Sequence, residues 1–249
     1  MKEITLYHGS KGGIVGNIEP NSRIRCDFGK GFYMGTKPEQ AKTLVYHDAM
    51  PIFYTMQFKL SKIPKDRILT LKDIPWALYV LYNRGRLETV KNTDLYQQIA
   101  TLDKDKDVII GPIADDNMNQ VMRQFETGDI TDKVLLECIR CIDYGTQYVA
   151  KTKEACNCIN IQLEENLDMS KYDEYQRYTN DRRAESIEKV KIIKRQYRGE
   201  GRYLDEILNM PNNQNILKHT MRTTNLENKF ENSLQPNKDH PNTGLGLGN

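Results

Sequence analysis

The chain has no apolar run approaching the ~18 residues of a membrane helix. Its first residues, Met1 to Tyr7, also lack the long apolar core of a secretory signal. Together these absences make a cytosolic, cytoplasmic protein the expectation, with no membrane partner. Excess charge is nearly absent too: 36 basic against 34 acidic side chains leave +2. Bulk electrostatics therefore compel no nucleic-acid partner. No G-x-G-x-x-G follows a strand and no Walker A loop occurs, which argues against the familiar dinucleotide and nucleoside-triphosphate folds. Cysteine is sparse and odd in number: Cys26, Cys138, Cys141, Cys156 and Cys158. An odd set in an unexported chain points to free thiols. Cys138-x-x-Cys141 with Cys156-x-Cys158 is a poor zinc set, because four-cysteine sites use two wider hooks. Val134, Leu135, Cys138, Ile139 and Ile142 recur at helical spacing, which makes Cys138 small core filling and no metal ligand.

What is present reads as one large domain with appendages. Residues 1–8 form a strand ending in His8, and Gly9 to Gly13 a loop. Residues 14–26 hold only short strand-like pieces. Thr36-Lys37-Pro38-Glu39 spells a capping box, with Thr36 as N-cap and a helix running to about Tyr46. Residues 52–60 read as a strand. Residues 75–82 read as a helix with Trp76 and Val80 inside. Val108-Ile109-Ile110 is a short buried strand ending at Gly111-Pro112. Asp115 or Asp116 caps a helix whose Met118, Val121, Met122 and Phe125 share one face. Gly128 ends it, Thr131 caps the next helix to about Ile142, and Gly145 stops that one. Residues 147–150 read as a strand, and Thr152 starts a short helix containing Cys156. Residues 171–197 read as a charged helix with Tyr178, Ile187, Val190 and Ile193 as its apolar face. From Pro211 on, Asn, Gln, Lys and Pro dominate, a composition too polar to offset ordering entropy. The units are thus 1–165, a helical charged extension 166–210, and a disordered polar tail 211–249. Strands and helices do not alternate as β-α-β units, so the fold class is α+β.

Three separated segments carry the chemistry: Leu6 to Ser10, Asp27 to Thr36, and Thr146 to Val149. The middle one, Asp27-Phe28-Gly29-Lys30-Gly31-Phe32-Tyr33, sets aromatic rings between glycines. Glycine lets backbone approach a ligand, and a ring beside it offers a stacking surface. Each piece also has a plain structural use. His8 can be a structural histidine, Tyr33 a core aromatic, Gly29 and Gly31 an ordinary turn, and Gln147 an exposed strand residue. The basic stretch Arg182, Arg183, Lys189, Lys191, Lys194, Arg195, Arg198 and Arg202 reads as a solvated helix face, interleaved with glutamates. Its alternative is contact with nucleic acid or an acidic partner.

These segments resemble the three motifs of ADP-ribosyltransferases of the diphtheria toxin and poly(ADP-ribose) polymerase branch, which follow a His, Tyr, Glu scheme. The fuller resemblance is to a bacterial ADP-ribosyltransferase-like family. Its pattern is met here by His8-Gly9-Ser10, residues 27–33, Trp76 with Asn83-Arg84, and Ile110-Gly111-Pro112-Ile113-Ala114-Asp115-Asp116. It covers roughly residues 3–160. The resemblance implies a split sheet with flanking helices, and transfer of ADP-ribose from NAD to a macromolecular acceptor with release of nicotinamide. His8 would bond a ribose hydroxyl, Gly9 would hold the carboxamide, and Tyr33 would stack on the nicotinamide. Gln147 would bond the ribose 2'-hydroxyl. Ser10, Gly31 and Phe32 complete the NAD-binding set. The implied partners are a protein or nucleic-acid acceptor and a cognate antitoxin, in a toxin or defence setting. Gln147 departs from the family's Glu, and an amide can neither carry charge nor act as a base. That disfavours polymer elongation and favours transfer of a single ADP-ribose. It also keeps a non-catalytic module binding NAD, ADP-ribose or a nucleotide end as the alternative.

Overall fold

A computed structural model describes residues 3–114, 116–142 and 144–210. In chain order the elements are β1 (Ile4–Ser10), β2 (Phe32–Gly35), α1 (Pro38–Thr43), β3 (Ile52–Phe58), β4 (Ile68–Thr70), α2 (Asp73–Asn83), α3 (Asp94–Ala100), β5 (Val108–Pro112), α4 (Asp116–Glu126), α5 (Asp132–Cys141), β6 (Thr146–Ala150), α6 (Lys153–Cys156), β7 (Ile159–Asn166), α7 (Tyr172–Gln196) and α8 (Leu204–Leu208). The strands form one sheet in the order β4-β5-β6-β2-β1-β3-β7. Among the described residues only β4 and β5 pair in parallel; the other ladders are antiparallel. The arrangement is α+β, a seven-stranded sheet with helices packed around it.

Both sheet faces are covered. On one, Leu6, Phe32, Met34, Tyr54, Met56, Phe58 and Ala150 form a cluster. On the other, Trp76, Phe125, Leu135, Cys138 and Val149 belong to a larger one. Ile193 of α7 and Leu204 and Ile207 of α8 join that same larger core. Cys138 is fully buried within it, and burial pushes its thiol pKa up to about 12. All five cysteines are free thiols. Among the described residues no helix is long and apolar enough to cross a membrane, and no cluster of His, Cys, Asp or Glu could hold a metal.

Several local expectations need correction. Strand β1 does not stop at His8 but carries Gly9 and Ser10 into its ladder with β3. Residues 14–26 contain no strand. Thr36 does not cap α1. Lys37 is the N-cap residue, with no side-chain cap, and Pro38 occupies the first turn. The Thr36 hydroxyl instead accepts the Thr146 amide at 3.0 Å, pinning β2 to β6. The helix also ends early, at Thr43. Asp115 lies outside the described residues, as does the tail from Pro211; α4 begins at Asp116. On α7, Ile193 is buried, but Tyr178 and Ile187 are exposed. The buried partner there is Ser186, whose hydroxyl lies 2.5 Å from the Tyr144 hydroxyl.

Candidate active site

The sheet is joined weakly at its middle. Strands β1 and β2 pair at one register position, Tyr7 opposite Gly35. Beyond it the strands part, leaving His8 to Ser10 facing Phe32 to Met34 across a gap. The His8 imidazole spans that gap, with Nδ1 2.7 Å from the Tyr33 carbonyl oxygen. A carbonyl can only accept, so Nδ1 carries the proton and Nε2 of the neutral ring is left as an acceptor. Burial lowers the His8 pKa, against the smaller raising effect of that carbonyl, so the ring is neutral. The Phe32 ring packs beside it, centroids 4.6 Å apart. A cavity of about 400 Å³ opens at the gap, lined by His8, Ser10, Gly31, Phe32 and Tyr33 under the loop from Gly13 to Ser22.

The glycine run is shaped by its own packing. Gly29 has φ +70°, and a Cβ there would sit 2.7 Å from Asn83 Oδ1. A Cβ on Gly31 would sit 2.4 Å from Val149 Cγ1, so glycine is what lets this segment lie against β6. The Ser22 hydroxyl stitches the run, accepting from Gly31 N at 3.0 Å and donating to Gly29 O at 3.3 Å. The Tyr33 hydroxyl donates to Gly29 O at 2.7 Å and accepts from Phe28 N at 2.9 Å. With its hydroxyl engaged and its ring desolvated, Tyr33 stays protonated, its pKa driven far upward by burial. Gly9 faces α1: a Cβ there would fall 2.3 Å from Ala41 O.

Gln147 sits in register with Gly35, level with the last pair before the gap. Alternation puts its side chain on the same sheet face as Tyr33 and opposite to His8 and Phe32. It does not line the 400 Å³ cavity. It is 6% exposed, and its Nε2 donates to Asp27 Oδ2 at 3.1 Å and to Pro112 O at 2.9 Å. Two acceptors on one side fix the amide's orientation, so Oε1 is the atom it can offer to a ligand. The neighbours are themselves held. Trp76 Nε1 also donates to Pro112 O, at 3.0 Å. Arg84 donates Nε to Asp27 Oδ1 at 3.0 Å, pairs the same oxygen through a second nitrogen, and bonds Asn119 Oδ1.

Four separate stretches of sequence thus meet at one amide: the Asp27 to Tyr33 run, Trp76 with Arg84, Gly111-Pro112 at the end of β5, and Gln147. Residues 4–161 match the family described as a protein of unknown function, DUF3990. The chain belongs to the DUF3990 family. The match takes in β1 through β6 and therefore every residue of the Gln147 network. No curated protein and no solved structure matches the chain.

Within this DUF3990 chain the structure brings His8, Ser10, Gly31, Phe32 and Tyr33 around one cavity, and the Tyr33 hydroxyl accepts from the Phe28 amide while Gln147 bonds the carboxylate of the preceding residue, Asp27. Sequence reasoning quoted Trp76, Arg84 and Asp27 without giving them a contact, and missed Asn119. The signal was present in part: Asp27 and Arg84, an acid and a base, stood in two motifs with no other partner assigned.

Proposed function

We propose that the chain is a mono-ADP-ribosyltransferase that uses NAD as donor, on an ADP-ribosyltransferase-like split sheet. The observation that carries this is the parting of β1 and β2 beside Gln147, with a neutral His8 and an aromatic-lined cavity in the opening. Groups suited to a dinucleotide's pyridinium end stand along that parting. His8 Nε2 accepts from a ribose hydroxyl. The Gly9 backbone holds the carboxamide, the Tyr33 ring stacks on the nicotinamide, and Gln147 Oε1 accepts from the ribose 2'-hydroxyl.

In the reaction the bond between ribose C1' and the nicotinamide nitrogen breaks, and nicotinamide leaves with the electron pair. The acceptor's nucleophile then bonds C1' and releases its proton to solvent. Charge builds on the ribose as in glycoside cleavage, where hydrogen bonds at the 2-hydroxyl strengthen towards the transition state. Gln147 supplies no charge itself, but donating to the Asp27 carboxylate polarises its amide and makes Oε1 the stronger acceptor. Positioning and electrostatics carry the rate; no covalent intermediate with the protein is needed.

The test is labelled NAD added to cell extract with the wild-type chain, Tyr33→Ala or Gln147→Ala. Label should reach a macromolecule with the wild type and fall by about 100-fold with Gln147→Ala. Equal labelling by all three would overturn the assignment. A second reading, a module that binds NAD or ADP-ribose without turnover, is favoured by the uncharged Gln147. Binding of NAD with no nicotinamide release, whatever extract is supplied, would decide for it.

A further inference from the structure

One charged side chain underlies the glycine run. Lys151 follows β6 directly and continues its alternation, on the sheet face of Gln147 and Val149. Its stem passes beneath the two glycines. Cδ lies 3.6 Å from where Gly31 would carry a Cβ, and Nζ lies 3.4 Å from the same point of Gly29. The ammonium donates to the Phe28 carbonyl oxygen and lies 3.4 Å from Asp103 Oδ2, in the segment between α3 and β5. Among the described residues Asp103 is its one ion-pair partner.

Phe28 is thus gripped at both of its backbone groups. Its N–H goes to the Tyr33 hydroxyl at 2.9 Å, and its C=O goes to Lys151. The Phe28 ring is fully buried and packs on Tyr79, centroids 5.9 Å apart. The next carbonyl, Gly29 O, takes the hydroxyls of Tyr33 and Ser22. Of these three side chains only Lys151 carries a charge, and a hydrogen bond from a charged donor is roughly twice as strong as a neutral one.

The ammonium sits there at a cost. The Lys151 side chain is only 15% exposed, and burial lowers its pKa, with Asp103 acting against that. A methionine would fill the same space with no charge to desolvate. A cost borne at this spot points to work done by the charge. We propose that Lys151 is a positioning residue: its ammonium fixes the Phe28 carbonyl, and through Phe28 the Tyr33 ring and the path of the glycine run beside the cavity. Its bearing on NAD rests on the transferase reading; its hold on Tyr33 does not.

The test is amide hydrogen exchange, read by NMR on the full chain without NAD. In Lys151→Met the Phe28 amide should exchange at least about tenfold faster, the factor that a lost hydrogen bond to a charged group is worth. Amides of β3 should keep their wild-type rates, which also shows that the variant folds. Tyr79→Phe removes a buried hydroxyl that has no hydrogen-bond partner among the described residues, beside the same Phe28 ring. It should leave the Phe28 rate within about twofold. In Lys151→Ala, added ethylammonium should restore Phe28 protection and added ethanol should not, because charge and not bulk holds the carbonyl. With NAD, Lys151→Met should raise the KM for nicotinamide release about tenfold and leave kcat within about twofold, since stacking on Tyr33 acts on bound substrate and transition state alike. A wild type that releases no nicotinamide would end the transferase reading, and exchange alone would then decide the role of Lys151. The proposal is overturned by a Phe28 amide that exchanges at the wild-type rate in Lys151→Met, by equal acceleration throughout β3, by ethanol restoring protection as well as ethylammonium, or by an unchanged KM in a chain that does release nicotinamide.

Discussion

Gln147 donates its amide to the Asp27 carboxylate, Nε2 to Oδ2 at 3.1 Å, across 120 positions of sequence. The contact accounts for the residue type at 147. A glutamate there would set a second carboxylate against Asp27 and against the Pro112 carbonyl, with no proton for either. The negative charge at this contact stands on Asp27, one hydrogen bond back from Gln147, and is balanced by Arg84.

Gln147→Glu should therefore lower the melting temperature, and Gln147→Glu combined with Asp27→Asn should recover part of the loss. The double swap returns one carboxylate and one amide to the contact. A double-mutant cycle by thermal unfolding should give a coupling of about 0.5–3 kcal/mol. A cycle that closes at zero would show that the two side chains act independently.

The His8 pKa is lowered by burial, so the folded chain holds this ring neutral while the unfolded chain titrates it near pH ~6.5. As pH falls through that value the unfolded state takes up a proton that the folded state refuses. Stability is lost on the acid side, and this loss levels off below the folded pKa. The wild-type melting temperature should drop more between pH ~7 and ~5 than that of His8→Asn. Parallel curves for the two proteins would count against a neutral, desolvated His8.

Arg67 grips Asp107 with two hydrogen bonds, at 2.5 and 2.7 Å, and Thr152 adds a third at 2.9 Å. Arg67 holds the Asp107 carboxyl below its usual range. That stabilisation is complete above the ordinary carboxylate pKa and is lost as pH falls through the lower folded value. Acid unfolding monitored by circular dichroism should shift to higher pH in Asp107→Asn, with little change near neutrality beyond a constant offset.

Gly31→Ala forces a methyl to within 2.4 Å of Val149 and 3.0 Å of the Ala150 carbonyl, and Gly9→Ala brings one to 2.3 Å from the Ala41 carbonyl. Overpacking of this kind costs about 1–3 kcal/mol. Denaturant midpoints should fall in both variants, while Gly12→Ala, which meets nothing, should leave the midpoint in place.

Sequence patterning was most informative where one face of an element is buried. Met118 and Phe125 on α4, Val134 and Cys138 on α5, and Trp76 and Val80 on α2 recur at helical spacing because each faces the larger core. At β7 the alternation Ile159-Asn160-Ile161-Gln162-Leu163-Glu164 spells a strand that the sequence reading passed over, and on this edge the alternation marks no buried face, since Asn160 to Asn166 are all exposed. Strand β4 is three residues long and α3 seven, too short for a period to show. The Thr36 capping box was spelled correctly but outcompeted: β6 needed the hydroxyl more than α1 did. In the site, residue types were legible and contacts were not. Nothing in the order of residues says that Pro112's carbonyl would serve both Trp76 and Gln147, or that Asp27 would reach Arg84, because those bonds exist only once β5, β6 and α2 have packed.

The central claim is tested most directly by a crystal structure of the full chain with NAD. The account predicts nicotinamide beside the Tyr33 ring in the parting of β1 and β2, a ribose hydroxyl bonded to His8 Nε2, and the 2'-hydroxyl on Gln147 Oε1. NAD seated elsewhere, with that parting empty, would contradict it.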